Sequence, residues 1–463
     1  MSNKIVYPYI PNSTNSAKQK MMDTLGITSI DELYVAIPDS LRLNRLLNLP
    51  DPILSEFELE RHVNDLLNKN ISTNEVISFL GSGCYNHYVP AICDEINSRN
   101  EFLTAYSGKT YEDHGRYQAL FEFQSMMADL LNMDVVALPT YDGLQAAASA
   151  LRMAIDITRR NKILVSKNIS PEKISKIYDF LGSHVQIKLI DFDQDTGELS
   201  LDSLSINLNR EVAAIFFDNP NFFGIIERNG EEIASLAHKF DALCVVSVDP
   251  ISLGILKPPA DYGADIVCGD IQSLGMHMQC GGGQAGFIAV HDDPKFIMEI
   301  PLRIYGIVPT IEKGEYGFGE IAIDRTSLMS REKGKEWVGT MANLWGITAA
   351  VYLATLGKKG IIEIGKLILS NTHYAYKAIT NLPNLKAKFS NNYIFREFVV
   401  DFSNTSYSVS EINNQLLKKK IFGGYNLTGQ IENCDNCAVY CITEIHSEQD
   451  IDLLVNSLEE IVQ

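Results

Sequence analysis

Between residues 162 and 290, six short β-branched runs alternate with stretches long enough to be helices, and this alternation restricts the fold more than any other feature of the chain. The runs cover 162–166, 185–192, 212–217, 242–249, 265–268 and 286–290. Parallel strands need crossovers of about a dozen residues or more, so strands spaced by helices predict a mostly parallel, doubly wound α/β sheet. Ligands in such sheets sit beyond the carboxyl ends of the strands. That rule places Asp218, Asp249 and the turn leading to Gln272 on the functional rim by position alone.

Sequence on either side of this block reads differently. Residues 1–65 lack strand alternation and contain Pro-bounded amphipathic segments at 29–37 and 55–67, with Ser29 and Ser55 placed as N-caps, which predicts a helical N-terminal arm. Residues 66–330 are expected to form the large domain. Its helix at 115–132 carries Leu120, Phe123, Met127 and Leu130 at helical spacing, as a core stripe does. Residues 331–463 are expected to hold a long helix, about 332–356, and a small α+β domain of strand, helix, strand and helix at 393–402, 411–419, 438–443 and 448–462.

At 463 residues the chain exceeds what one hydrophobic core normally serves. Its net charge of −19 opposes binding to nucleic acid or to an anionic membrane surface. No apolar run reaches the roughly 18 residues of a spanning helix, and the first residues lack the apolar centre of a signal peptide, so a cytoplasmic protein is expected. The eight cysteines are scattered, as reduced thiols are. Cys434 and Cys437, with Cys441 nearby, approach a ligand spacing but lack a fourth ligand; a turn before a strand is expected there, and no metal.

Several motifs tempt and fail. Ser107-Gly108-Lys109-Thr110 resembles the end of a phosphate loop, but Leu103 stands where the first glycine belongs. Gly81 and Gly83 lack the third glycine of a dinucleotide fingerprint, which leaves NAD binding unsupported. HExxH and GxSxG are both absent.

Longer strings carry a specific likeness. Phe216-Phe-Asp-Asn-Pro-Asn-Phe-Phe-Gly224, Val248-Asp-Pro-Ile-Ser-Leu-Gly-Ile-Leu-Lys-Pro-Pro259 and Asp261-Tyr-Gly-Ala-Asp-Ile266 closely resemble the subunit 1 family of the two-subunit glycine dehydrogenase (decarboxylating), the N-terminal half of glycine-cleavage P-protein. Phe79-Leu-Gly-Ser-Gly-Cys-Tyr-Asn-His-Tyr-Val-Pro90, Tyr141-Asp-Gly143, Arg331-Glu-Lys333 and Thr443-Glu444 extend the likeness along nearly the whole chain. The resemblance implies a fold-type-I pyridoxal-phosphate transferase architecture. It also implies pairing with a homologous subunit 2 that carries the lysine and the cofactor, in an α2β2 assembly. The family's reaction decarboxylates glycine on that cofactor and passes the aminomethyl group to a lipoyl carrier, the H-protein.

Within that likeness, the segment from Asp265 to Gly286 reads as a Schiff-base lysine segment with Gln272 in the lysine slot. An amide nitrogen is not nucleophilic and cannot form the internal imine, so no covalently bound cofactor is expected on this chain. Asp249 matches the aspartate that would protonate the pyridine nitrogen, and is equally suited to cap the turn before Pro250. Tyr141, Asp142 and Gly143 open a helix whose N-terminus would suit a phosphate, yet Asp142 is itself a natural N-cap. His87, Asn219, Asn221 and Arg331 are the candidates for an active site shared between subunits. Another lysine, such as Lys257 or Lys109, is the alternative holder of the aldehyde, although Lys257 precedes Pro258-Pro259 as a solvated charge does.

The chain departs from the family pattern in its loops. Leu144-Gln145 replaces a small pair, Ser107–Thr110 replaces Thr-Pro-Tyr-Gln, Gly281-Gly-Gly-Gln284 replaces a Gly-Gly-Pro opening, and 324–339 lacks a basic Arg-Glu-Gln-His-Ile-Arg stretch. Two alternatives follow: a diverged paralogue decarboxylating another amino acid, and a catalytically silent scaffold subunit.

Overall fold

The computed structural model describes residues 9–103, 114–281, 284–335, 342–390 and 393–462. They fall into two compact units, Met1–Asn70 and Ile71–Gln463. In the first, helix Asn15–Leu25 is capped by Thr14 and stopped by left-handed Gly26. The 3-10 segment Ile30–Ala36 opens on a capping box made by Ser29 and Glu32, and helix Glu56–Leu67 is capped by Ser55. None of these helices buries a residue.

The second unit is built on a seven-stranded sheet: β1 (Val135–Val136), β2 (Lys162–Ser166), β3 (Gln186–Ile190), β4 (Val212–Asn219), β5 (Leu243–Val248), β6 (Ile266–Asp270) and β7 (Gly286–Val290), in the spatial order β1-β7-β6-β5-β4-β2-β3. β2 to β6 run parallel, while β7 is antiparallel to both β6 and β1. Successive residues serve opposite faces. Phe217, Val246, Val267 and Phe287 enter one apolar core, and their neighbours Phe216, Val245, Ile266 and Ile288 enter the other. A sheet buried on both faces needs such continuous apolar strands, which is why the runs read as blocks in the sequence.

Helices cover both faces. α1 (His114–Leu131) contributes Phe123, Met127 and Leu131 to the first core and Leu120 to the second; Leu130 is only partly buried. α2 (Gly143–Thr158) and α3 (Pro171–Leu181) cover the second face, and α4 (Gly230–Lys239) the first.

The expected long helix is α5, Asn343–Thr380. It starts later than 332, because Arg331–Lys333 forms a 3-10 turn instead. It also continues past 356. Gly357, at φ 59° and ψ −176°, breaks the helical path there, and a second helical run extends to Thr380.

The α+β segment packs β8 (Lys386–Ala387), β9 (Glu397–Asp401), β10 (Tyr425–Asn426) and β11 (Cys437–Cys441) in the order β8-β9-β11-β10, beside α6 (Val409–Lys418) and α7 (Glu448–Val462). Cys437 opens β11, and all eight cysteines are free thiols. No described helix is long and apolar enough to cross a membrane.

Phe222 and Phe223, from the loop after β4, join this third core, so the strand end and the C-terminal sheet are packed together. Gly224 makes the close approach possible. Its φ is +76°, and a Cβ there would stand 1.8 Å from the Glu397 carbonyl oxygen. Gly224→Ala is therefore expected to cost on the order of 4 kcal/mol, read as a lower urea midpoint; an unchanged midpoint would contradict this packing.

Candidate functional site

At the carboxyl ends of β4, β5 and β6 lies a cavity of about 310 Å³. Asp218 and Ser247 share a rung of the sheet, as do Ser247 and Cys268. Lys173 of α3 reaches across to place its Nζ 2.7 Å from Asp218 Oδ2 and 3.2 Å from Ser247 Oγ. Burial raises the Asp218 carboxyl above its ordinary range, and the Lys173 ammonium opposes the shift.

Gln272, on the turn after β6, is almost fully buried and uses its whole side-chain amide. Its Oε1 accepts from the Tyr85 N–H at 3.0 Å, and its Nε2 donates to the Tyr85 carbonyl at 3.0 Å and to Met276 at 2.8 Å. The side chain thus pairs with a peptide group as a neighbouring strand would. A lysine, with donors only, cannot make this pair. The loop carrying Tyr85 has further staples. Glu397 Oε1 accepts from Ser82 N–H at 2.6 Å, Thr443 Oγ1 donates to Asn86 O at 2.6 Å, and Glu444 accepts from Tyr88 N–H at 2.8 Å.

Asp249 caps the turn at Ile251, 3.1 Å away, and its other oxygen lies 3.0 Å from Arg396 Nη1. Arg396 is 2 % exposed and stacks its guanidinium 4.3 Å from the Tyr85 ring centroid. Burial works against its charge, but Asp249 above all holds it firmly ionised. The helix N-terminus is likewise taken by the chain's own carboxylates. Asp142 Oδ1 caps Gln145 N–H at 2.5 Å, and Asp270 Oδ2 accepts from Gly143 N–H at 2.8 Å. A Cβ on Gly143 would meet Asp270 Cβ at 2.8 Å, so only glycine admits this carboxylate.

Of the residues singled out from sequence for a site, Gly143, Asp218, Asn221, Asp249 and Gln272 line the cavity. Tyr141 is exposed and Asp142 faces the helix it caps. His87 is buried behind Gln272, its Nε2 2.9 Å from Met276 O and 3.2 Å from Gln272 O, and burial lowers its pKa. Asn219 spans to Glu227 and Tyr262, while Asn221 fixes the turn at Phe223 and Ile225. Arg331 is exposed and Lys257 is outside the cavity lining; Lys109 lies outside the described residues. Sequence reasoning passed over Lys173, Asp270, Arg396 and Glu397. Arg396-Glu397, a charged pair opening an apolar strand, was the only available signal.

A pyridoxal phosphate does not fit these residues. Gln272 offers an amide in place of an amine and that amide is already engaged, Asp249 is engaged by Arg396, and the N-terminus of α2, where a phosphate could bind, is taken by two carboxylates.

The architecture is that of fold-type-I pyridoxal-phosphate enzymes. The crystal structure of an inhibitor-bound glycine decarboxylase (P-protein) of the glycine cleavage system superposes with a TM-score of 0.82 at 30% identity, covering 98% of this chain and 100% of that one. A sphingosine-1-phosphate lyase from Burkholderia pseudomallei, at 14% identity and a TM-score of 0.64, shares the fold alone. The chain belongs to the glycine cleavage system P-protein family, whose model matches residues 8–458. It is 36% identical to the probable glycine dehydrogenase (decarboxylating) subunit 1 of Staphylothermus marinus, over 98% of both chains. It is 36% identical to the subunit 1 of the same name in Saccharolobus solfataricus, over 99% of this chain and 98% of that relative.

Two predictions follow from the geometry. Gln272→Lys leaves the Tyr85 N–H without an acceptor and is expected to lower stability by about 1–3 kcal/mol in urea unfolding. It should also yield no borohydride-reducible adduct with pyridoxal phosphate; mass spectrometry showing one at position 272 would overturn the assignment. The second concerns Glu397, whose carboxyl burial lifts from 4.5 to about 7 against the Ser82 N–H and Arg396. Because the folded value lies above the unfolded one, the stability from this protonated carboxyl is complete below 4.5 and is lost as pH rises through 7. Asp270, lifted from 3.8 to about 7 mainly by burial, declines in parallel. Glu397→Gln keeps an acceptor for Ser82 and should make the loss of stability between pH 4.5 and 7 shallower; an unchanged slope in denaturation across pH would contradict the assignment.

Proposed function

We propose that this chain is the subunit of a pyridoxal-phosphate-dependent glycine decarboxylase that does not bear the lysine, and that it completes the active site of a homologous subunit 2. The observation that carries the reading is a P-protein fold matched from 8 to 458 whose own lysine position is a buried, fully bonded amide. Cofactor and decarboxylation then belong to the partner, and a lipoyl carrier receives the aminomethyl group. An α2β2 assembly in the cytoplasm accommodates this division.

This chain's part is shape. Gln272, Glu397 and Glu444 hold the 82–88 loop. His87, Asn219 and Asn221 support turns within the chain, which leaves exposed Arg331 as the foremost of the four inter-subunit candidates to reach a shared site. The N-terminal arm, large domain and C-terminal α+β segment supply the scaffold. A diverged paralogue is not favoured, since relatives named subunit 1 match almost end to end.

The test is exchange of labelled bicarbonate into glycine by the chain, by a lysine-bearing subunit 2, and by both together. Exchange is expected only from the pair, and Arg331→Ala should reduce it about tenfold, the loss of roughly one charged hydrogen bond. An inactive pair, or activity of this chain alone, would sink the reading.

A further inference from the structure

Cys434 and Cys437 are the two ends of one β-turn. The Cys437 N–H donates to the Cys434 carbonyl at 3.3 Å, and Asn436, third in the turn, takes the left-handed φ of 54°. A turn closed in this way holds its end Cα atoms within about 7 Å, the span that a disulfide can bridge. The Asn436 side chain fixes the turn in place. Its Nδ2 donates to Phe402 O at 3.0 Å and to Tyr407 O at 3.1 Å, and its Oδ1 accepts from the Val409 N–H at 2.9 Å. Both cysteine side chains enter the core of the C-terminal sheet, whereas Glu432, Asn433 and Asp435 are exposed. The sulfurs therefore lie one turn's depth below the surface.

A thiol in an apolar core normally behaves as a small hydrophobe whose ionisation burial opposes. Cys93, Cys244, Cys268 and Cys441 follow that rule and are all raised by burial. Cys434 is moved the other way. A hydrogen bond with the Cys437 thiol is the main cause, and Lys388 adds to it, against burial and the carboxylates of Asp401 and Asp435. The same bond, with burial, raises Cys437, whose Sγ also lies 3.6 Å from the Asp435 carbonyl oxygen. One sulfur of the pair is thus disposed to lose its proton, and its neighbour is a thiol within reach to resolve whatever forms there. A structural zinc ion would need about four ligands. Among the described residues no group of three or more His, Cys, Asp or Glu side chains converges to hold a metal, so the chemistry open to two adjacent sulfurs is a bond between them.

We propose that Cys434 and Cys437 form a redox-active dithiol, which a hydroperoxide converts reversibly into a disulfide. A local opening of the exposed turn admits an oxidant the size of hydrogen peroxide. The Cys434 thiolate attacks one peroxide oxygen, the O–O bond breaks, and the departing hydroxide takes up a proton to leave as water; Cys434 becomes a sulfenic acid. The Cys437 sulfur then gives up its proton and attacks Cys434 Sγ, forming the S–S bond and expelling a second hydroxide, which leaves as water. Two thiols are oxidised and one peroxide is reduced to two waters. A dithiol reductant reverses the change by exchange. The bond would pin the turn that leads into β11. It would also stiffen Gln430, Ile431 and Glu432, which form one wall of a second cavity of about 300 Å³ against α3 and β3. Neither sulfur belongs to the cavity at the strand ends, so the dithiol stands apart from the decarboxylase reading.

The full-length chain, purified with reductant and then freed of it, is treated with about one molar equivalent of hydrogen peroxide. Remaining thiols are alkylated in denaturant and located by mass spectrometry. The titre is expected to fall by two from eight free thiols, with Cys434 and Cys437 the unalkylated pair and their peptide lighter by two hydrogens. Dithiothreitol should restore both. Two variants read the order of attack. In Cys437→Ser the sulfenic acid on Cys434 has no resolving thiol and should be trapped by dimedone; in Cys434→Ser dimedone should find nothing at Cys437. If a serine variant fails to fold, the mapping of the unmodified chain decides alone. An unchanged titre, oxidation that spares this pair while consuming other thiols, a bridge from either sulfur to Cys441, a dimedone adduct on Cys437 in the Cys434→Ser chain, or a stoichiometric zinc ion held by the two thiols would each overturn the proposal.

Discussion

The ion pair between Asp249 and Arg396 joins the parallel sheet to the C-terminal α+β segment. Asp249 follows β5 at the rim of the parallel sheet, and Arg396 immediately precedes β9, the first long strand of the C-terminal α+β segment. Each alone would be a desolvated charge, and removing either partner would leave the other stranded at a cost of several kcal/mol. Arg396 also lays its face on Tyr85, so the 82–88 loop, the rim of the sheet and the C-terminal segment converge on one guanidinium. The positions of Glu397, of the 82–88 loop and of Gln272 opposite it all follow from that convergence.

Around this pair the cleft has become self-contained. Asp142 and Asp270 bond the first N–H groups of α2, the Gln272 amide bonds the Tyr85 peptide, and Lys173 neutralises Asp218. Each of these contacts is made by the chain with itself, beyond the carboxyl ends of the strands, where ligands of such sheets sit. Burial then raises both Asp270 and Glu397 to about 7, so the cleft gains negative charge across the neutral range.

The sheet was legible because its strands are buried on both faces and therefore appear as blocks of apolar residues; the helix-capping residues Ser29, Ser55 and Asp142 were legible because a cap needs a particular side chain at a particular place. Asp249 follows β5 at the strand ends, and Gln272 lines the same cavity. What the sequence hid was partnership. Nothing local marks Arg396 as the companion of a residue 147 positions earlier (396 − 249), or Lys173 as reaching Asp218 and Ser247 from a helix. The start of α5 was misread for a related reason: charged residues near 332 suit a helix as well as the 3-10 turn that tertiary packing selects.

The amide pair between Gln272 and Tyr85 bears on what position 272 tolerates as well as on stability. Because the loop relies on an acceptor at position 272, a lysine there would supply an amine without supplying a site. The peptide of Tyr85 would lose its mate, Arg396 would still occupy Asp249, and Asp270 would still occupy the head of the helix. A lysine at 272 would therefore call for changes at these neighbours as well. The glutamine is in that sense held in place by the groups it bonds.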